Sequence, residues 1–200
     1  MSIRDYLQPW LDEWGISDTS ALEEWISGMR LLRCEPDEVL VHADTPASDI
    51  YLIQEGLLRL YYTTPEGKER NKAFYGAGEI TGAVSAAMTG ADAPFSIQAL
   101  EPSVVIRADF QALRQHAPDH PQVSQLFIKL LSGAFIRNEQ REAMLLTRNA
   151  EQRYQWLQEN EPELLGRVAQ FHLASYIGVD AVSLSRLKRK LDDGADNADS

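Results

Sequence analysis

Residues 30–109 are divided by turn residues into short strand-like runs, and this pattern constrains the fold more than any other feature of the chain. Turn residues at 55–56, 65–67 and 76–78, together with Pro94, separate the runs. Many short strands with breaks of this kind are typical of a β-sandwich or jelly roll. We therefore predict a β jelly roll over this part of the chain. Its six clearest strand candidates are RLLRCE, EVLVH, DIYLIQ, LLRLYYTT, KERNKAFY and SIQALE.

Two short helices are predicted before the jelly roll. Apolar residues recur at helical spacing in the first, and Gly15 follows them as a stop signal. The second helix is expected to begin near Ser20, because Ser20 and Glu23 have capping-box spacing. An aromatic membrane anchor is the alternative, but the acidic residues around the tryptophans favour packing on the following domain. The apolar positions are Leu7, Trp10, Leu11, Trp14, Leu22, Trp25, Ile26 and Met29.

The chain after Asp109 is predicted to be helical. A short helix stopped by Pro118 and Pro121 is followed by a long helix over 122–147, nearly 40 Å by helical rise. A helix of this length needs a partner along much of it, which favours a homodimer. The alternative is that it packs back on the jelly roll. Its apolar face is predicted to contain Val123, Phe127, Leu130, Leu131, Ala134, Arg141 and Leu145.

Charge is distributed unevenly along the chain. The formal net charge is −11, which opposes nonspecific coating of nucleic acid because phosphates repel an acidic body. Residues 167–191 nevertheless contain five Lys or Arg against one acid, whereas residues 192–200 contain four acids and no base. The acidic end is expected to be disordered, because it offers no large apolar residue to a core.

The composition also argues against several classes of protein and site. No apolar run reaches the length that spans a bilayer, so no membrane association is expected. Cys34 is the only cysteine, which excludes an internal disulfide and a cysteine-rich metal centre. We expect no metal and no cofactor, since Pro118 interrupts the helix that would align His116 with His120. No nucleophile elbow or phosphate loop is present, so a non-enzyme in the reducing cytoplasm is predicted.

Residues 168–191 have the pattern of a helix-turn-helix. Ala174 supplies a small residue where a second helix must cross closely, and Gly178 lies four residues later, where the chain turns. The second helix can then present its opposite face to a major groove. The alternative is an ordinary helical bundle with a basic solvent face. The predicted inward residues are Val168, Phe171, Leu173, Ile177, Val179, Leu184 and Leu187.

Over nearly its whole length the chain resembles the Crp/Fnr superfamily of bacterial transcription regulators. DIYLIQEGLLRLYY, PEGKE, GAGEI and IQALE carry the resemblance in the first part, and RVAQFHLASYIGVDAVSLSRLKRKL carries it in the last. The resemblance implies an α+β fold with an N-terminal cyclic-nucleotide-binding-like jelly roll, a long dimerisation helix and a C-terminal helix-turn-helix domain without a wing. The expected divisions are the jelly-roll domain at 1–118, the dimerisation helix at 119–148, the helix-turn-helix domain at 149–191 and the acidic tail at 192–200.

The same resemblance implies DNA contacts and partners. A homodimer would read a two-fold symmetric operator in double-stranded DNA, with RNA polymerase as a candidate partner and an unidentified small-molecule effector. Arg186 matches the family's recognition-helix arginine and is the leading candidate for contact with guanine or phosphate. The serines are expected to donate to bases or phosphates, and the other cations to neutralise phosphates. The further contact candidates are Ala181, Val182, Ser183, Ser185, Lys188, Arg189 and Lys190.

The effector region departs from the family pattern. Gly78 and Glu79 match the pair that holds the ribose, but Ala93, Pro94 and Phe95 stand where cyclic-AMP-responsive members carry the phosphate-binding arginine. A phosphate buried without a cation loses most of its hydration uncompensated, so tight binding of cyclic AMP is not expected. Two interpretations stay open, a smaller apolar cavity or a filled core that binds no effector. The residues concerned, with Gly78 and Glu79, are Val84, Phe95, Ser96 and Ile97.

The recognition helix departs from the family as well. Ala181 and Val182 occupy the positions of the Arg–Glu base readers, and neither side chain can hydrogen-bond a base, although either can touch a thymine methyl. Without the β-hairpin wing, fewer phosphate anchors are expected. The competing hypothesis is therefore a ligand- or protein-binding module with a degenerate helix-turn-helix that reads no specific site.

Overall fold

Two antiparallel four-stranded sheets form the first part of the protein. The computed structural model describes residues 2–116, 118 and 120–196. The strands are β1 (Arg30–Cys34), β2 (Val39–Val41), β3 (Asp49–Glu55), β4 (Leu57–Thr63), β5 (Glu69–Gly76), β6 (Ile80–Gly82), β7 (Ser96–Ala99) and β8 (Ser103–Asp109). One sheet has the strand order β1-β8-β3-β6 and the other the order β2-β7-β4-β5. This arrangement confirms the predicted β jelly roll and the α+β fold class.

The inner faces of the two sheets pack on each other. Their cluster includes Tyr51, Leu58, Ile97 and Val105, which are all almost fully buried. Alternation of side chains along each strand places such residues on the inner face and leaves their neighbours outside. Apolar burial of this kind contributes about 25 cal/mol per Å² removed from water. The sandwich is therefore a packed core as well as a frame for the helices around it.

Helices α1 (Ile3–Trp14) and α2 (Glu23–Gly28) cover the outer face of the β1-β8-β3-β6 sheet. Gly15 ends α1 in the left-handed conformation at φ +69°, as its place after the apolar run predicts. The predicted capping box at Ser20 is wrong. A short 3-10 turn (Ser20–Leu22) intervenes, and Asp18 accepts from the Ser20 backbone N–H at 2.9 Å. Neither the 3-10 turn nor α2 has a side-chain hydrogen bond at its N-cap.

One part of the jelly roll was missing from the sequence-based prediction. After β5 the chain forms the short strand β6 and then helix α3 (Val84–Thr89). This segment is rich in small residues, and its brief strand and short helix leave no clear periodicity. Ala86 and Ala87 are buried on the helix face that meets the sheets. Val84, predicted as an effector contact, is therefore the first residue of a helix.

Helices α4 (Phe110–His116) and α5 (Pro121–Thr147) follow the sheets, with α5 about 40 Å long by helical rise. Pro121 begins α5 and does not merely stop the preceding helix, because a proline at the first helical position loses no intrahelical bond. The face predicted as apolar turns toward the chain's own core, where Phe127, Leu130 and Leu131 pack. Other positions around α5 leave large apolar side chains exposed: Ile128, Phe135, Ile136 and Leu146.

Three further helices complete the described chain, namely α6 (Ala150–Asn160), α7 (Gln170–Tyr176) and α8 (Ala181–Asp196). Asn149 caps α6 through a reciprocal pair with Gln152. Helix α8 extends to Asp196, so the boundary expected at 191 is too early, and 192–196 continue the helix instead of forming a disordered tail. Its sequence contains no proline to stop it there. The rest of the predicted tail, 197–200, lies outside the described residues.

Candidate nucleic-acid interface and effector site

Gly178 forms the turn between α7 and α8. Its φ of +71° lies in the left-handed region, and an added Cβ would stand 3.0 Å from Arg153 Nη1 and 3.3 Å from Leu145 Cδ2. The Val179 N–H donates to the Ala174 carbonyl at 2.9 Å, which fixes the second helix close to the first. Both the conformation and the close approach therefore require glycine at this turn.

The residues predicted to face inward are packed between the two helices of the motif, with one exception. Ala174, Ile177 and Leu184 are almost fully buried, and Leu187 is packed at the edge of the same cluster. Phe171 was predicted to point inward, but its side chain is 60% exposed. It precedes Leu173 by two residues, a rotation of about 200° around a helix, so the two cannot share a face.

The outer face of α8 presents the other predicted DNA contacts. Ser185 and Lys188 are half-buried, whereas the remaining candidates are exposed: Ala181, Val182, Ser183, Arg186, Arg189 and Lys190. Lys190 pairs with Glu151 of α6 at 3.0 Å. Arg186, Lys188 and Arg189 form no ion pair with any side chain that the structure describes. Three cations are thus available to a ligand on this face.

Asp180 and Ser183 form the N-terminal cap of α8. The Ser183 backbone N–H and hydroxyl both donate to the Asp180 carboxylate, each at 2.7 Å. These bonds hold the pKa of Asp180 below its usual value, with the Ser183 hydroxyl as the largest cause. Since the Ser183 hydroxyl hydrogen is engaged in the cap, its oxygen is left as an acceptor.

Gln170 and Phe171 were missed as members of this surface. They line a shallow groove of about 540 Å³ together with Ala181, Val182, Ser185, Arg186 and Arg189. The first helix of the motif therefore contributes two side chains beside the recognition helix. Helical spacing could have predicted this, because Phe171 lies on the face opposite the apolar positions Leu173 and Ile177.

The residues predicted to form an effector pocket lie in separate places. Glu79 accepts from the Gly76 backbone N–H at 2.7 Å and forms an ion pair with Arg137 of α5. Phe95 and Ile97 are buried between the sheets, and Ser96 accepts from the Ala43 N–H at 2.9 Å. Gly78 lies near Glu79 at the α5 side, and Val84 lies on α3. This packing favours the filled-core interpretation over an apolar cavity at Phe95 and Ile97.

A cleft of about 700 Å³ lies between the jelly roll, α5 and the helix-turn-helix, and no sequence pattern predicted it. Tyr176 donates to Glu161 at 2.9 Å, and burial raises the pKa of that carboxyl group. Arg141 lies over the Tyr176 ring at 5.0 Å and donates to the carbonyls of Asn71 and Tyr176, while burial lowers its pKa. These charged groups of the cleft therefore already have hydrogen-bond partners within the protein.

Helix α7 docks on β5 through a buried polar network. Asn71 donates to the His172 carbonyl at 2.9 Å, and Arg59 donates to the Asn71 side chain at 3.1 Å. The Asn71 N–H donates to Ser175 Oγ at 3.0 Å. Burial, followed by the nearby Arg59 cation, lowers the pKa of His172 to about 4. The network fixes the helix-turn-helix against the jelly roll while His172 is neutral.

Two further observations concern metals and membranes. Among the described residues, no group of three or more His, Cys, Asp or Glu side chains is arranged to hold a metal ion. Burial raises the pKa of the Cys34 thiol to about 11. Within the same described ranges, no helix combines the length and apolar character needed to cross a bilayer.

Comparison with known proteins identifies similar sequences and folds. Residues 31–119 match the cyclic nucleotide-binding domain family. The fumarate and nitrate reduction regulatory protein of Vibrio cholerae is 30% identical over 114 residues, which cover 57% of this chain and 45% of that protein. The chain thus spans a little under half the length of the curated relatives it matches.

Solved structures extend the similarity to the fold of most of the chain. FixK2 from Bradyrhizobium japonicum has a TM-score of 0.72 and 19% identity, covering 84% of this chain and 86% of FixK2. A regulator described as a member of the Crp/Fnr family from Eubacterium rectale has a TM-score of 0.72 and 12% identity, covering 95% of this chain and 88% of that one. At these identities the likeness concerns the arrangement of sheets and helices.

Proposed function

Since the chain belongs to the Crp/Fnr superfamily, we propose that it is a homodimeric DNA-binding transcription regulator that does not respond to cyclic AMP. The relatives named above are regulators, and no enzyme is among them. The proposal places the protein in the cytoplasm with double-stranded DNA as its partner. Helix α8 supports the DNA binding, α5 supports the homodimer, and the jelly roll supports the lack of response to cyclic AMP.

The exposed face of α8 is the observation that carries the proposal. A glycine turn fixes this helix on α7, and Leu184 anchors its inner side, so that its outer side is held in one orientation. Arg186 and Arg189 are exposed there without an ion-pair partner among the described side chains. A helix presented in this way fits a major groove, with early residues at base edges and later cations near phosphates.

Exposed apolar residues on α5 support the homodimer. Ile128, Phe135 and Leu146 lie within about 20° of one line along the helix at 100° per residue. Large apolar side chains aligned on a solvent-facing helix are typical of a partner interface. A second copy packed along this line, here called the α5 seam, would place two recognition helices for a two-fold symmetric operator.

The absence of a phosphate-binding arginine supports the lack of response to cyclic AMP. Ala93 and Phe95 are buried where that cation is expected, and Glu79 is already paired with Arg137. A cyclic phosphate would lose its hydration there without gaining a charged partner. Thermal unfolding with micromolar cyclic AMP should therefore show no shift in Tm, and a clear stabilisation would contradict this part of the proposal.

Selection of bound DNA from a random pool tests the regulator itself. We expect a palindromic motif from the wild-type protein and loss of that motif with Arg186→Ala, since a bidentate contact to guanine contributes about 1–3 kcal/mol of discrimination. Arg33→Ala removes the same charge from exposed β1 and should leave the motif unchanged. If the wild-type protein enriches no motif, the competing hypothesis of a degenerate helix-turn-helix holds instead.

A further inference from the structure

An apolar patch lies on the face of the helix-turn-helix that we assign to DNA. Phe171 is 60% exposed and Val182 is 59% exposed, and Ala181 is exposed beside them. All three line the same groove. We call these three residues the apolar readout patch. Its polar rim consists of Gln170, Ser185, Arg186 and Arg189.

The exposure of this patch is not required by the packing of the two helices. Leu173 and Ile177 on the α7 side and Leu184 on α8 already fill the contact between them. Phe171 and Val182 come from different helices and still meet at one groove, so the exposed apolar surface is continuous. A continuous apolar surface with a cationic rim is suited to a ligand that carries both apolar groups and negative charge.

Double-stranded DNA offers one such apolar group in its major groove, the C5 methyl of thymine. Ala181 and Val182 form the first turn of α8, the part of a recognition helix that meets base edges. Their side chains have no hydrogen-bonding group, so they can distinguish base pairs there only by apolar contact. Arg186 lies one turn later and supplies the charged contact that these apolar side chains cannot make.

We infer that the apolar readout patch recognises thymine methyl groups, so that each half-site is specified by thymines as well as by the base that meets Arg186. This inference rests on the proposed function, because it requires sequence-specific binding to DNA. It assigns Val182 and Phe171 a role in specificity, with Ala181 completing the contact surface. The predicted half-site contains at least one thymine whose methyl group contributes to affinity.

Deoxyuridine provides a direct test, because it differs from thymidine only by the missing methyl and keeps the same hydrogen-bonding groups. The motif selected by the wild-type protein is synthesised with single thymine-to-uracil replacements, and the Kd is measured by fluorescence anisotropy. We expect each replacement that removes a contacted methyl to weaken binding about fourfold, the value of one buried methylene group. Replacements outside the contacted positions should leave the Kd unchanged.

Variants then assign each methyl contact to a side chain. Val182→Ala should bind uracil and thymine versions of the motif equally at one position, and Phe171→Ala should do so at another. Lys190→Ala, on the same helix but outside the patch, should weaken both versions by the same factor. Since Val182 is exposed, Val182→Ala should leave the Tm unchanged. The Phe171 ring lies 4.0 Å from the His172 ring, so Phe171→Ala is expected to lower the Tm slightly, and a cooperative thermal transition verifies that each variant is folded.

The outcomes separate this inference from the function on which it rests. If the wild-type protein binds specifically and binds more weakly after thymine-to-uracil replacement, with no such weakening in Val182→Ala, this result supports the proposed function and the methyl readout. Specific binding with no uracil penalty at any position overturns the methyl readout and leaves the regulator intact. If no specific motif exists, the proposed function and the methyl readout fall together.

Discussion

Gly178 shows how strongly one residue determines the helix-turn-helix. Its backbone lies in the left-handed region, and an added Cβ would require the Arg153 and Leu145 side chains to shift by a few tenths of an ångström. Gly178→Ala should lower the free energy of unfolding by about 1–2 kcal/mol, the cost of placing an L-residue in that region. Urea unfolding followed by circular dichroism measures the change. Gly133→Ala in α5, where nothing lies within 4 Å, is the matched control and should stabilise the protein.

His172 makes the docking of α7 on β5 dependent on pH. Its folded-state pKa of about 4 lies below its ordinary value of 6.5. Between these values the unfolded chain binds the proton and the folded protein does not, so stability falls as pH decreases from about 6.5 to about 4. Above pH 6.5 the imidazole is neutral in both states and contributes no pH dependence.

His172→Gln should remove this part of the pH dependence. Urea midpoints measured at pH 7, 6 and 5 give the comparison, and the difference between wild type and variant cancels the titration of the carboxylates. The curve for the variant should be flatter than that for the wild type over this window. Parallel curves would show that His172 takes up its proton at the same pH in the folded and unfolded states, and would contradict the lowered pKa.

Helix α5 has two apolar faces in different surroundings. One face packs on its own jelly roll through Phe127, Leu130 and Leu131, and the α5 seam faces outward. Phe135→Glu places a charge in the proposed dimer interface and should convert the dimer to a monomer, as measured by sedimentation equilibrium. Gln122→Glu adds the same charge to an exposed position on another side of α5 and should leave the dimer intact. A dimer that survives Phe135→Glu must use another surface.

The elements also show what the sequence could predict. Six of the eight strands, the long helix and the glycine turn could be predicted because each has a local signal of turn residues, periodicity or capping. Strand β6 and α3 were not, because neither is long enough to show a period and no turn signal separates them. The pairing of Asn71 with His172 joins residues 101 positions apart, and no local pattern specifies such a contact. For the same reason, the sequence could not show that Glu79 lies at the α5 side and Phe95 lies between the sheets.

The proposed function requires an acidic protein to bind an acidic ligand. The net charge of −11 repels DNA at long range, so affinity must come from the few cations on α8. Arg189→Gln should weaken binding to all sequences and reduce the slope of log K against log salt by about 2 for a dimer, since each phosphate contact contributes about 0.9 to that slope. Titrations between 50 and 200 mM salt, a range in which phosphate contacts dominate, measure that slope. An unchanged slope would remove Arg189 from the phosphate contacts.

The acidic end of α8 is predicted to oppose the basic part of the same helix. Positions 192 and 193 follow Lys188 and Arg189 by four residues in a helix that continues to Asp196, a spacing that places each pair of positions on one face. Replacing Asp192 and Asp193 by asparagine should therefore tighten DNA binding at low salt, and the gain should shrink as salt screens the charges. Glu66→Gln with Asp92→Asn removes the same charge from exposed loops and controls for net charge. Equal gains in the two double variants would mean that only the total charge matters. A larger gain from the α8 variant would mean that the acidic end of α8 competes with DNA for the basic residues of the same helix.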